Sequence, residues 1–189
     1  PARAARRPAW RANGAWKPVS GQGVIDFDVA ELATKVAPLA QRAAEAARSA
    51  QRSLTALEWF QMGLDLEPHD LDGARDAYRR ALELDPSHVD AHVNLGRLLH
   101  EAGHAEAAAT HYRQALALRP NDSTAAFNLG VALEDQGRAA EAVVAYERAV
   151  RADAANLDAH FNLARLMERA GRKAAAIRHL KAYRRLVRA

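Results

Sequence analysis

The 189-residue chain contains no cysteine, so neither disulfide pairing nor thiolate chemistry is open to it. Aromatic residues make up only 6%. No apolar run approaches the roughly 20 residues needed to span a bilayer, so no membrane role is expected. No signal-like apolar segment follows the basic start, Pro1 to Arg11. Absent too are a glycine-rich phosphate loop, a serine nucleophile elbow, a nucleotide fingerprint and a convergent carboxylate pair. The chain is therefore read as a non-enzyme without cofactor or metal, and the lack of cysteine fits a cytoplasmic location. It begins with proline and not methionine, which reads as a fragment with sequence upstream.

Alanine dominates what is present. It is the best helix former and lets helices approach closely, so the bias predicts an all-helical, tightly stacked chain. The balance of 49% hydrophobic and 26% charged residues is ordinary for a globular protein. The net charge of +4 is unevenly spread. Arg3, Arg6, Arg7, Arg11 and Lys17 crowd the start, Arg178, Lys181, Arg184, Arg185 and Arg188 crowd the end, and acids compensate in the middle. Basic ends attract nucleic acid or anionic surfaces. The preferred reading is a solvated tail and a soluble capping helix.

Residues 1–27 hold glycine, proline and arginine without helical period and read as an irregular basic segment or linker, with Trp10 and Trp16 interspersed. A helical extension is expected over 28–53. Asp28 and Glu31 suit a capping box there, and Pro38 is expected to end or kink the helix. A second, alanine-rich run is then expected from about Pro38 through Leu57 to Leu66.

Beyond that a period governs. Asn94, Asn128 and Asn162 stand 34 residues apart, each followed by leucine and then glycine or alanine. Pro86 and Pro120 share the spacing, as do Gly103, Gly137 and Gly171, Ala108, Ala142 and Ala176, and Tyr78, Tyr112 and Tyr146. Glycine between two helices takes the left-handed conformation at no Cβ cost. The alanines fall where the second helix must press on the first, and the tyrosines are expected to fill the gap to the neighbouring repeat.

On these residues the chain resembles the tetratricopeptide-repeat family, whose unit is a 34-residue helix–turn–helix. The first repeat supplies Trp59, Met62, Gly63, Ala74, Tyr78, Ala81 and Pro86, and the second supplies Leu95, Gly96, Ala108, Tyr112, Ala115 and Pro120, with His92 in place of tryptophan. The third keeps Leu129, Gly130, Ala142, Tyr146 and Ala149. The fourth departs most, with Ala164 for glycine and Leu180 for the aromatic, as expected of a cap whose outer face meets water. The resemblance implies an all-α, right-handed superhelix over 54–187, with repeats 54–86, 87–120, 121–154 and 155–187.

The resemblance also implies a function. In this family the first helix of each repeat lines a concave groove. Carried over, the groove residues are Phe60 and Gln61, Val93, Asn94 and Arg97, Phe127, Asn128 and Val131, and Phe161, Asn162 and Arg165. A primary amide offers donors and an acceptor to a peptide backbone whatever its side chains. The expected role is a protein-interaction scaffold holding an extended peptide or partner segment, in the manner of family members that use an asparagine ladder. The alternative reading of the row is that the amides only bond a neighbouring helix. A lysine-based carboxylate clamp is disfavoured, because Val93, Phe127 and Phe161 stand where the lysine belongs. Arg97 and Arg165 keep an acidic ligand open.

His88 and His92, and His100 and His104, have the i, i+4 spacing of zinc ligands. They read as packing and surface residues, since nothing completes a site and Gly103 interrupts the helix. Asp70, Asp72 and Asp76 read as helix-start charge. The competing function is the regulatory or oligomerisation region of a bacterial MerR-type transcription regulator, on a weak likeness of the flank Trp16 to Gln22 and Asp26 to Asp28 to linkers of such proteins. Nucleic acid would then be bound only by an upstream domain. A homo-oligomer is compatible with either reading.

Overall fold

The computed structural model describes residues 29–52 and 54–188. Asp28, the loop at 18–23, Trp10 and Trp16 lie outside the described residues. The chain divides into two units, Pro1–Leu54 and Thr55–Ala189.

Within the first unit lies a single described helix, α1 (Val29–Arg52), with Pro38 inside it. Pro38 does not end the helix, the first of the two outcomes expected of it. A proline removes one backbone donor and crowds the preceding turn, and alanine-rich sequence on its C-terminal side favours continuing the helix. Nor does the alanine-rich run continue to Leu66. A new helix, α2 (Ala56–Leu66), starts under Thr55, whose side chain accepts from the Glu58 N–H. The Thr55 N–H in turn donates to Glu58 Oε2 at 2.8 Å. This reciprocal capping box fixes the start of α2.

The second unit is an α-solenoid of four helix pairs: α2 with α3 (Leu71–Leu84), α4 (Val89–Glu101) with α5 (Ala105–Leu118), α6 (Ser123–Asp135) with α7 (Ala139–Ala152), and α8 (Leu157–Arg169) with α9 (Lys173–Leu186). Each second helix also packs on the first helix of the next pair, and α4 touches α6 directly. Side chains at the N-termini fix where the first helices begin. His88 Nδ1, Asp122 Oδ1 and Asn156 Oδ1 accept from the N–H groups of Ala91, Ala125 and Ala159 at 3.2, 2.8 and 2.9 Å. Gly103, Gly137 and Gly171 end α4, α6 and α8 at φ of 83°, 73° and 70°. The following N–H reaches back five residues, His104 to the Leu99 carbonyl at 2.8 Å, which satisfies a carbonyl the helix end leaves open.

Alanine carries the packing. Ala74, Ala108 and Ala142 are fully buried, as are Ala81, Ala115 and Ala149. Between them lie Tyr78, Tyr112 and Tyr146, at most 1% exposed. The tyrosines do more within their own repeat than the sequence suggested, for each ring lies against the glycine of its partner helix. A Cβ on Gly96 would meet Tyr112 Cε1 at 2.7 Å, and one on Gly130 would meet Tyr146 Cε1 at 2.5 Å. Ring and glycine define one another.

Candidate interaction face

The expected groove residues fall along α2, α4, α6 and α8. Phe60, Val93 and Phe127 are partly buried against the core, while Phe161 is 47% exposed. The three phenylalanine rings rest on second-helix aromatics. The centroids are 5.6 Å apart for Phe60 and Tyr78, 5.6 Å for Phe127 and Tyr146, and 5.5 Å for Phe161 and Tyr183. Gln61 is exposed and donates to Asp65 at 3.1 Å. Val131 is half-buried among the core's partners.

The amides are not a row of free groups. Asn94 Nδ2 lies 3.4 Å from the Tyr78 hydroxyl of the preceding repeat. Asn162 stands near the Tyr146 hydroxyl. Asn128 makes no side-chain hydrogen bond among the described residues. All three are half-buried. A distance of 3.4 Å is at the weak end for a hydrogen bond, and each amide keeps a second N–H and its carbonyl.

The arginines are more fully engaged. Arg97 pairs with Glu67 of the preceding repeat and with Glu101 at 2.8 Å. Arg165 pairs with Glu134 of the preceding repeat at 2.7 Å. The same two carboxylates accept from the tyrosines, Tyr78 Oη to Glu67 at 2.6 Å and Tyr146 Oη to Glu134 at 3.0 Å. Burial and these adjacent carboxylates hold both phenols above their ordinary pKa. Thus Glu–Arg–Tyr clusters tie repeat 1 to repeat 2 and repeat 3 to repeat 4. At the junction between repeats 2 and 3 the corresponding places hold His100 and Val131, and His100 Nε2 pairs with Asp135 at 2.6 Å.

The polar contacts therefore follow a two-repeat period, doubling the single-repeat one. Two histidine pairs obey it as well. His92 Nδ1 faces His111 Nδ1 at 3.0 Å, and 68 residues on His160 Nδ1 faces His179 Nδ1 at 3.1 Å. The remaining ring nitrogens of His92 and His160 lie 3.1 and 3.3 Å from the carbonyls of Pro86 and Ala154. A carbonyl only accepts, so His92 and His160 carry their protons on Nε2 and their partners donate from Nδ1. Burial first, and then the facing imidazole and Arg79, bring the His111 pKa down to about 4. Sequence reading overlooked Glu67, Glu134, His111 and His179. Their signal was present, since Asp90-Ala91-His92 and Asn94-Leu95 recur as Asp158-Ala159-His160 and Asn162-Leu163 with Arg97 and Arg165 behind them. Among the described residues no group of three or more His, Cys, Asp or Glu is placed to hold a metal ion. None of their helices is long and apolar enough to cross a membrane.

At the end of repeat 4 the pattern opens. Leu180 occupies the tyrosine position and Ala164 the glycine position. The shorter side chain leaves a cavity of about 380 Å³ lined by Phe161, Ala164, Arg165 and Glu168 of α8 and by Lys173, Ala176, Ile177 and Leu180 of α9. Ile177 is 53% and Leu180 43% exposed. The capping face expected to be polar is therefore partly apolar.

Stacked helix pairs with a regular face of first helices define a helical-repeat protein of the kind that displays a binding surface. One tetratricopeptide-repeat family model matches residues 64–123 and 101–156 and a second matches 133–188. The chain belongs to the tetratricopeptide-repeat family, whose members generally mediate protein–protein and peptide interactions. Among solved structures it is similar to a crystal structure of MamA (18% identity, 87% of this chain and 97% of that one, TM-score 0.70). It is also similar to MamA from Desulfovibrio magneticus RS-1 (23% identity, 86% and 97%, TM-score 0.66). A third similar structure is the first repeat domain of Spaghetti (RPAP3) bound to an HSP90 peptide (21% identity, 62% and 94%, TM-score 0.59). No curated protein sequence matches the chain. The family match begins at residue 64, so it does not reach residues 16–28, which carry the likeness to MerR-type linkers and lie outside the described residues.

Proposed function

We propose that this chain is an interaction module that takes an extended peptide segment across α2, α4, α6 and α8. Phe60, Val93, Phe127 and Phe161 supply apolar contact, Gln61, Asn94, Asn128 and Asn162 address the peptide backbone, and Val131 lies between them. The observation that carries the reading is the combination of this row with the pairing of Arg97 and Arg165. Both guanidiniums are committed to Glu67 and Glu134 of the preceding repeats, so they are poor receptors for an acidic ligand. What remains available is amide and aromatic surface. Adjacent helices lie roughly 8–10 Å apart and an extended chain rises about 3.3 Å per residue, so one amide per repeat meets about every third residue. The likeness to a repeat domain bound to an HSP90 peptide supports a peptide as ligand. The absence of lysine before each asparagine argues for a different recognition chemistry here.

The test is selection from a random peptide display library, followed by affinity measurement on synthetic peptides. Selected peptides should be extended, apolar at intervals of about three and poor in Asp and Glu. Asn128→Ala with Asn162→Ala should weaken them about tenfold, two backbone hydrogen bonds at about 0.5–1.5 kcal/mol each. Undiminished binding by that double variant, or a selected set dominated by acidic C-termini, would falsify the reading.

A further inference from the structure

The two ends of the repeat array differ in charge and share apolar surface. Repeat 1, residues 55–86, carries eight carboxylates against three arginines, and residues 155–188 carry nine Lys and Arg against two carboxylates. At the repeat 4 end, Leu180 is 43% exposed although Tyr78, Tyr112 and Tyr146 at the same place are at most 1% exposed, and Ile177 is 53% exposed where Ala109 is fully buried. In the interior these places are covered by the first helix of the next repeat. A solenoid end that meets only water carries polar residues at such places. At the other end Leu64 on α2 is 37% exposed, and its counterparts Arg97 and Arg165 each reach across a junction to the preceding repeat.

We propose that the open end of repeat 4 seats α2 of a second copy of this chain, so that copies join head to tail in the register of the interior repeats. The internal contacts supply that register. Where Arg165 meets Glu134 at an interior junction, Leu64 of the second copy meets the apolar rim beside Glu168. Where Asn94 meets Tyr78 at an interior junction, Gln61 lies over Leu180. Leu64 then enters the cavity between Ala164 and Leu180, the space a tyrosine fills in the other repeats. Every second helix in the interior packs on a first helix, and α9 finds the same neighbour in α2. Repeat 1 is net negative and repeat 4 net positive, and that opposition favours encounter of the two ends. Because the two surfaces differ, the interaction is heterologous and adds copies in series. It does not stop at a symmetric pair.

The experiment is sedimentation velocity on the 189-residue chain and two variants. The head variant carries Leu64→Lys with Asp65→Lys, and the tail variant carries Ile177→Glu with Leu180→Glu. All four positions are exposed, and unchanged helical circular dichroism verifies folding. The wild type should grow in mass with concentration, beyond a dimer, and shrink as salt is raised. Each variant alone should stay monomeric. Mixed, they should give a one-to-one dimer, since the head variant keeps an intact tail and the tail variant an intact head. A monomeric wild type overturns the proposal, as does a wild type that stops at a dimer. A mixture that stays monomeric, or a variant that still associates by itself, overturns it too. Peptide affinity at Asn128 and Asn162 is a separate readout, so failure here leaves the peptide reading to its own test.

Discussion

At the scale of single residues, the tetratricopeptide glycine and tyrosine are one feature. Gly130 has no room for a Cβ because the Tyr146 ring stands 2.5 Å from where it would be. Gly130→Ala should therefore cost about 1–3 kcal/mol through overpacking, measured by chemical denaturation. Repeat 4 shows how the conflict is relieved, for Ala164 coexists with Leu180 in place of tyrosine. Gly130→Ala combined with Tyr146→Leu should be less destabilising than the sum of the two single changes, as expected of residues in contact. Strict additivity would sink the argument. The sequence displayed both the glycines and their loss in repeat 4, yet periodicity alone could not reveal that the aromatic ring is what excludes the methyl group. The asparagines were legible as a row for the same reason. The contact of Asn94 with the Tyr78 hydroxyl was not, because it depends on how deeply the ring is set between helices.

Among elements, the boundaries followed local chemistry wherever the chemistry was strong. Gly103, Gly137 and Gly171 ended helices as their spacing implied. Pro38 did not end α1, and a fresh helix starts under Thr55, whose Thr-x-x-Glu pattern forms a capping box. Thr55→Ala should cost α2 about 1 kcal/mol, seen as faster amide exchange over residues 56–59. The junctions between repeats carry a pH dependence. His111 has an ordinary pKa of 6.5 and is brought down to about 4 in the fold, and His179 is also lowered by burial, the facing His160 and Arg178. The unfolded chain binds a proton that the folded chain refuses, so stability falls as pH drops from about 6.5 towards 4. Arg79 and His92 face His111 and act in the same direction. Denaturation midpoints should decline over that window, and His111→Gln with His179→Gln should flatten the difference between pH 7 and pH 5. An equal slope in wild type and variant would refute the assignment. The i, i+4 histidine spacings drew attention in the sequence, whereas the contacts are between helices, 19 residues apart.

For the whole molecule, the number of repeats and their order were plain in the 34-residue spacing, because a solenoid is set by nearest neighbours. The distribution of charge was harder to interpret. Acids in repeat 1 look like helix caps one at a time, and only their sum against the basic end exposes a polarity along the array. That polarity and the first-helix face should differ in their sensitivity to salt. Along the face, Arg97 and Arg165 are neutralised by Glu67 and Glu134 and His100 is paired with Asp135, so a peptide there meets short-range amide and apolar contacts. Such contacts are little affected when the Debye length shrinks from about 10 Å at 0.1 M to about 3 Å at 1 M salt. Association of a strongly acidic end with a strongly basic one depends on charge spread over a whole repeat, which screening does weaken. Peptide affinity should change less than about threefold across that range, while the mean mass of the wild type should fall steadily. If both properties declined together, the groove would be electrostatic after all, and the paired arginines would have to release their carboxylates to bind.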